Sequence, residues 1–257
     1  MSRPALAPPV PPSPGDSLLA VATSDLHWLD GGPRDDFRAP EGDRLKAECE
    51  ALAPLVKRTR ARVILLGDVA DFWRAEERSV CPAHFADLAA VANIPDDAFS
   101  RPVMWCRGNH DARMRLSLLA AILRDRFVIV RDCDVGGWHF EHGDRFDPNP
   151  GVWRKVGKGA CKALAWIGGV ISPRAEDWLS AKASAVEGLG RYGDADCYQE
   201  AALRLAKERG LRGVCLGHTH RAAYVEREGV AYTNCGTWAE DGWTLWWASG
   251  SVTRFKG

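Results

Sequence analysis

Five short apolar runs in this chain each end on an oxygen or nitrogen donor set beside glycine or serine. Ser17–Thr23 (SLLAVAT) leads into Ser24-Asp25-Leu26-His27, and Arg62–Leu66 (RVILL) into Gly67-Asp68-Val69-Ala70-Asp71. Pro102–Cys106 (PVMWC) precedes Gly108-Asn109-His110-Asp111, Gly137–Glu141 precedes His142-Gly143-Asp144, and Gly213–Leu216 (GVCL) precedes Gly217-His218-Thr219-His220. Runs of this length, bounded this way, read as buried strands. In open α/β sheets ligands collect beyond the carboxyl ends of the strands. Five strand ends brought to one crevice would therefore converge their donors. Five of the seven histidines fall inside these blocks; His84 and His139 do not, and read as non-functional.

Between the runs the pattern is helical. Leu45–Arg60 has helical periodicity with Pro54 as a break or kink, and Ala83–Ala92 reads as a helix. Asp111 is placed to cap a helix running to Arg124, and Tyr198–Glu208 is an amphipathic helix closed by Gly210. Phe127–Val130 is a further strand. Ala222–Val225, Val230–Thr233 and Trp243–Trp247 read as antiparallel strands joined by tight turns, one over Glu226–Gly229 and another containing Glu240-Asp241-Gly242. Alternating strands and helices followed by hairpins predict an α/β sandwich, part parallel and part antiparallel.

The 257 residues suffice for one large α/β domain, or for a core with an insertion. The expected organisation is a disordered Pro-rich tail over 1–16, a core over 17–145 and 198–257, and a helical cap insertion over 146–197. The 34 basic and 34 acidic residues cancel, which argues against a nucleic-acid partner. The eight cysteines include no Cys-x-x-Cys, so a structural zinc site or redox dithiol is not expected. The eleven tryptophans are expected in the core or lining a pocket. No apolar stretch is long enough to span a bilayer or to form a secretory core, and the expected location is cytoplasmic.

The donors are carboxylate, imidazole and amide oxygen, with no thiolate. That set suits manganese, iron, zinc or cobalt better than a soft metal. Seven candidates are too many for one ion. Two metals about 3.5–4 Å apart that share a carboxylate would use them, lowering the pKa of a bound water and stabilising both oxygens of an in-line displacement.

Asp-x-His, Gly-Asp-x-x-Asp, Gly-Asn-His-Asp, His-Gly-Asp and Gly-His-Thr-His, in this order from Asp25 to His220, resemble the calcineurin-like metallophosphoesterase family. The resemblance implies a four-layer α/β/β/α sandwich carrying two divalent ions, manganese first, with iron or zinc as alternatives. It implies one metal held by Asp25, His27, Asp68 and His220, and another held by Asp68, Asn109, His142 and His218, with Asp68 bridging. A metal-bridging hydroxide would be the nucleophile. His110 would contact phosphate and protonate the leaving oxygen, and Asp71 would orient His110. Asp111 is a weaker candidate for that orienting role. The implied activity is hydrolysis of a phosphate ester or anhydride.

For the substrate, Tyr198–Val214, Gly217–Arg221 and Tyr232–Glu240, with His142–Asp147, resemble the UDP-2,3-diacylglucosamine pyrophosphohydrolase group, which splits a UDP-linked acylated sugar. The chain departs from that group in two places: His110 stands where those enzymes usually carry arginine, and Cys235-Gly-Thr-Trp238 replaces a more acidic block. In the insertion, Trp153, Val156, Ala160, Leu164, Ile167 and Ile171 form an apolar stripe at helical spacing. Arg154, Lys155, Lys158 and Lys162 lie largely off it. Such a helix would cap an acyl-chain groove or make peripheral membrane contact through residues 151–171; the alternative is a cap helix packed on the core. Arg107, Arg154, Lys158 and Lys162 are the candidate substrate-binding residues. Within the same fold, a phosphomonoesterase or phosphoprotein phosphatase is the alternative activity. A non-catalytic metal-bound interaction scaffold is the remote one.

Overall fold

The computed structural model describes residues 6–32, 35, 37, 39–95, 101–112, 125–146 and 195–257. In chain order its elements are β1 (Leu18–Thr23), α1 (Ala39–Thr59), β2 (Arg62–Leu65), α2 (Glu77–Ala83), α3 (Phe85–Ala92), β3 (Val103–Cys106), β4 (Phe127–Val130), β5 (Asp132–Val135), β6 (Trp138–Glu141), α4 (Ala195–Glu208), β7 (Gly213–Leu216), β8 (Ala223–Arg227), β9 (Val230–Asn234), α5 (Trp238–Asp241), β10 (Trp243–Trp247) and β11 (Val252–Phe255). The expected helix from Asp111 to Arg124 falls almost wholly outside the described residues. So does nearly all of the 146–197 insertion.

The strands form two sheets. The first has six strands in the order β11-β10-β1-β2-β3-β4, the second five in the order β5-β6-β7-β9-β8. β1, β2, β3 and β4 run parallel, with Val21 opposite Val63 and Ile64 opposite Met104. β6, β7 and β9 are parallel in the second sheet. The carboxyl ends of β1, β2 and β3 thus lie along one edge of the first sheet, and those of β6 and β7 along one edge of the second.

Three apolar cores explain why the strands read as continuous hydrophobic runs. Successive side chains alternate faces: in β2, Val63 and Leu65 pack with Leu45, Leu52, Val56, Leu88 and Val91 of the helices, while Ile64 points into a second core with Ala20, Ala22, Cys106 and Trp246. Trp138, Phe140 and Cys215 of the other sheet enter that same second core, so the two sheets face one another. The third core joins Tyr198, Ala202 and Ala206 of α4 to Val214, Leu216 and Tyr232 on the outer side of the second sheet. A strand buried on both faces carries no polar side to alternate.

Several elements differ from expectation. α1 begins at Ala39 and runs unbroken through Pro54. Pro54 is exposed, so the carbonyl it leaves unpaired can be hydrated. The helix expected over Ala83–Ala92 starts at Phe85 as α3; Ala83 ends a separate helix, α2, and His84 between them leaves the helical region (φ −106°, ψ 22°). β10 does not continue the β8–β9 hairpin; the chain crosses through α5 to the first sheet, where β10 pairs antiparallel with β1. α2, β5, β11 and α5 were not read from the sequence. For α5 the signal was present as Thr237-Trp-Ala-Glu240, a capping box, and the Thr237 side chain does accept from the Glu240 N–H.

Candidate metal centre

The blocks sit just beyond their strands, in backbone that L-amino acids seldom adopt. Asp25, His27, Asp68, His218 and His220 all have positive φ, between 49° and 69°. β1 ends at Thr23, so Asp25 and His27 are placed by left-handed turns and not by strand geometry. The turns need bare backbone nearby. Gly67 has φ 86°, and a Cβ there would lie 2.6 Å from the Gly108 nitrogen and 2.8 Å from His142 Cγ. The loops after β2 and β3 therefore touch backbone to backbone.

Besides a group of His27, Asp71 and His110, two clusters result among the described residues. In the first, buried Asp25 points Oδ1 at His220 Nε2 (3.2 Å) and His27 Nε2 (3.7 Å), and the two imidazole nitrogens face each other at 3.1 Å. Asp25 Oδ2 accepts from the His218 N–H at 3.0 Å and from the Ser24 hydroxyl. In the second cluster, Asp68, His142 and His218 are all buried and their ligand atoms lie within 4.8 Å of one another. Asp68 Oδ2 is 3.1 Å from His142 Nε2, and Oδ1 accepts from the His110 N–H at 2.8 Å. Asn109 Oδ1 lies 3.1 Å from the same His142 nitrogen. Asp68 touches the second cluster directly; His27 of the first cluster reaches it through charge. His218 and His220, two residues apart, serve different clusters.

The donor atoms fit cations. Asp25 Oδ1 is buried with no hydrogen-bond donor; the imidazoles of His220 and His27 approach it by distance alone. His142 Nδ1 donates to the Leu66 carbonyl at 2.8 Å, which leaves Nε2 as a lone pair in the neutral ring. That lone pair faces two oxygens, Asp68 Oδ2 and Asn109 Oδ1. Three acceptors aimed at one point are stable only around a positive charge. Without an ion the charge falls on the rings: burial pulls the His142 imidazole down, but Asp68 and Asp25 push it well above its usual range. His220 is likewise raised, its burial outweighed by Asp25 and Asp68. Burial of Asp25 is outweighed by His220 and His27, so its carboxyl stays well below the usual range. The same balance, with His142 and His110 as the charges, lowers Asp68.

His110 stands beside this centre. Its Nδ1 is 2.8 Å from Asp71 Oδ1, and its Nε2 is 4.0 Å from Asp68 Oδ2. Burial disfavours the charged ring, yet Asp68 and Asp71 raise it to about 9. Trp73 stacks on the imidazole, with centroids 4.0 Å apart and planes at 21°. Sequence reasoning passed over Trp73. The only signal was its position two residues after Asp71, since tryptophan is usually a core residue. Asp111 does not orient His110. Its carboxylate accepts from Gly108 N–H (2.6 Å), Val69 N–H (3.1 Å) and Trp105 Nε1–H (2.9 Å), tying the loops after β2 and β3 together. Burial and nearby Asp68 push its carboxyl up to about 6.

Arg107 is exposed at the end of β3, while Arg154, Lys158 and Lys162 lie outside the described residues. Asp144 opens a 3-10 turn and is half-buried. His84 and His139 are buried away from the clusters. His84 is held between Asp35 (2.7 Å) and Asp87 (3.1 Å), and His139 between Asp134 (2.6 Å) and Glu141 (3.1 Å).

The family model described as calcineurin-like phosphoesterase matches residues 19–222. No curated protein matches the chain. Among solved structures, one similar chain is a conserved uncharacterized protein, a predicted phosphoesterase from Streptococcus pneumoniae (11% identity, 95% of this chain and 100% of that one, TM-score 0.38). Another is vacuolar protein sorting 29 from Cryptosporidium parvum (12%, 94% and 99%, TM-score 0.40). A third is a dimetal phosphatase from Danio rerio (13%, 89% and 92%, TM-score 0.44).

Proposed function

This chain belongs to the calcineurin-like phosphoesterase family and is a metal-dependent phosphoesterase, and we propose that it cleaves a phosphoanhydride of the UDP-sugar-lipid class. Asp25, His27, Asp68 and His220 would hold one divalent ion, and Asp68, Asn109, His142 and His218 the other, with manganese the first choice and iron or zinc the alternatives. The observation that carries the metal reading is the buried Asp25 Oδ1, which no hydrogen bond satisfies among the described residues, beside the convergence of Asp68 Oδ2 and Asn109 Oδ1 on His142 Nε2. Two such ions, when bound, polarise the phosphoryl group and make a water nucleophilic near neutral pH.

The chain's own residues supply the rest. His110 gives its Nε2 proton to the departing oxygen while Nδ1 stays on Asp71. Asp71 is nearly fully buried and also accepts from the Trp73 N–H at 3.0 Å, so its carboxylate is fixed and holds the ring in one tautomer. Arg107, exposed beside the loop of Asn109 and His110, is available to a phosphate oxygen. The lipid part of the proposal rests on the sequence resemblance of Tyr198–Glu240 and on the basic apolar stripe of residues 151–171. Peripheral membrane contact and a cytoplasmic location belong to the same reading.

His110 favours a second reading, a phosphomonoesterase, because the nucleotide-lipid group usually carries arginine there. One assay separates the two. Manganese-loaded protein is given bis(p-nitrophenyl) phosphate, p-nitrophenyl phosphate and a UDP-linked diacylated sugar. The proposal expects UMP release from the lipid substrate and a diester rate above the monoester rate. A faster monoester rate with no UMP release selects the second reading. No turnover of any substrate, with two ions bound per chain, overturns both.

A further inference from the structure

We infer that Trp73 is a positioning residue for His110, fixing the plane of the imidazole so that its Nε2 faces the scissile bond. The inference rests on the reading of His110 as the proton donor. It begins with an exception: Trp28, Trp105, Trp138, Trp238, Trp243, Trp246 and Trp247 are all buried, whereas Trp73 is half-buried at the edge of the metal centre.

Its contacts run to the site. One indole face lies on the His110 ring, 4.0 Å between centroids and 21° from parallel. The Nε1–H donates to the Asn109 carbonyl at 2.9 Å. The Trp73 N–H donates to Asp71 Oδ1, the same oxygen that receives His110 Nδ1. A single hydrogen bond at Nδ1 leaves the imidazole free to swing about that bond, and Nε2 would sweep an arc. The stacked indole removes that freedom on one face, and the His27 ring packs against the same imidazole at 4.9 Å and 83°. Among the described residues Nε2 has no closer carboxylate than Asp68 Oδ2 at 4.0 Å, and no hydrogen bond from them sets the plane at that end. Packing alone does.

A proton donor matters in proportion to the basicity of what departs. A p-nitrophenolate leaves without help, whereas an alkoxide does not. Two diesters that differ only in leaving group therefore separate a misaimed donor from a damaged metal centre. The prediction is that Trp73→Leu widens the ratio of aryl to alkyl rates about tenfold to a hundredfold, through kcat rather than KM, with two manganese ions still bound. Trp73→Phe keeps a smaller aromatic face and loses the Nε1–H, and should restore most of the alkyl rate. His110→Ala should widen the ratio further, by about a hundredfold or more.

If His110→Ala widens the ratio and Trp73→Leu does not, Trp73 has no positioning role. If Trp73→Leu slows both substrates equally, or if Trp73→Phe is as slow as Trp73→Leu, the indole serves the metal loop through Asn109 and the inference fails. If His110→Ala itself leaves the ratio unchanged, the proton-donor reading falls and this inference falls with it. Should Trp73→Leu not fold, the comparison of Trp73→Phe with wild type over the same substrate pair decides, since a retained aromatic face predicts a nearly unchanged ratio.

Discussion

His220 carries a conflict that its function explains. Its backbone is left-handed (φ 55°) and its side chain is half exposed, so little packing holds it there. A left-handed L-residue costs roughly 1–2 kcal/mol over glycine, and such strain persists where the surrounding structure enforces it. Asp25, His27, Asp68 and His218 share the conformation. This part of the site was not legible. The sequence shows donors after strands, and Asp-Leu-His looks like three more extended residues. Nothing local marks aspartate and histidine for the region usually left to glycine. The consequence can be measured. His220→Gly should leave the metal-free protein more stable than His220→Ala by about 1 kcal/mol, while both variants lose one ion and most activity. Urea unfolding of the metal-free forms reads the difference, and equal stabilities would remove strain as the explanation.

Among the elements, the break between α2 and α3 carries the most information. Its residue, His84, was read as non-functional, and the helix was read as running from Ala83 through His84 because Phe85–Ala92 and Ala83 are all good helical residues locally. What ends α2 is tertiary: the His84 imidazole is drawn between Asp35 and Asp87 and stacks on Trp28 at 5.0 Å. Asp35 in turn accepts from the N–H groups of Leu29, Gly31 and Phe37, so His84 secures the loop that leaves His27. Burial disfavours the His84 cation, but the two carboxylates outweigh it and raise the ring to about 9. The folded-state value lies above the 6.5 of a free imidazole, so the stabilisation is complete below about pH 6.5 and is lost as pH rises through about 9. Its ceiling is on the order of 3 kcal/mol. The charged neighbours are Asp35, Asp87 and, beyond Asp87, Lys46 at 3.8 Å. His84→Gln should therefore lower Tm sharply at pH 6 and barely at pH 10. A Tm gap independent of pH would show that His84 acts by packing alone. Strands were more legible than this junction: β1, β2, β3 and β7 lie within a residue of their apolar runs, because burial on both faces writes itself directly into composition.

At the scale of the molecule, each cluster draws on both sheets. Asp25 and His27 follow β1 and Asp68 follows β2 in the first sheet, whereas His142 follows β6 and His218 and His220 follow β7 in the second. An ion held by either group is thus a clasp across the inter-sheet core, and the spacing of that core sets the spacing of its ligands. Trp246 is the keystone of the spacing. It is fully buried on β10 and meets Phe140 of the opposite sheet at 4.9 Å and Trp138 at 6.2 Å, yet it lies far in sequence from any metal ligand. Leu52, equally buried, belongs to the core between α1 and the first sheet. Truncating either should cost a few kcal/mol through lost burial and a cavity, but only one cavity lies between the halves of the site. Trp246→Leu is expected to weaken manganese binding about tenfold, comparable to losing an outer partner of a ligand, and Leu52→Ala to leave it within about twofold. Since bound ion stabilises the native state in proportion to its affinity, the rise in Tm on adding manganese should shrink for Trp246→Leu and persist for Leu52→Ala. Calorimetric titration of both variants decides the matter: equal affinities would mean that the ligand loops hold their own geometry and that the sheets carry the site without tuning it.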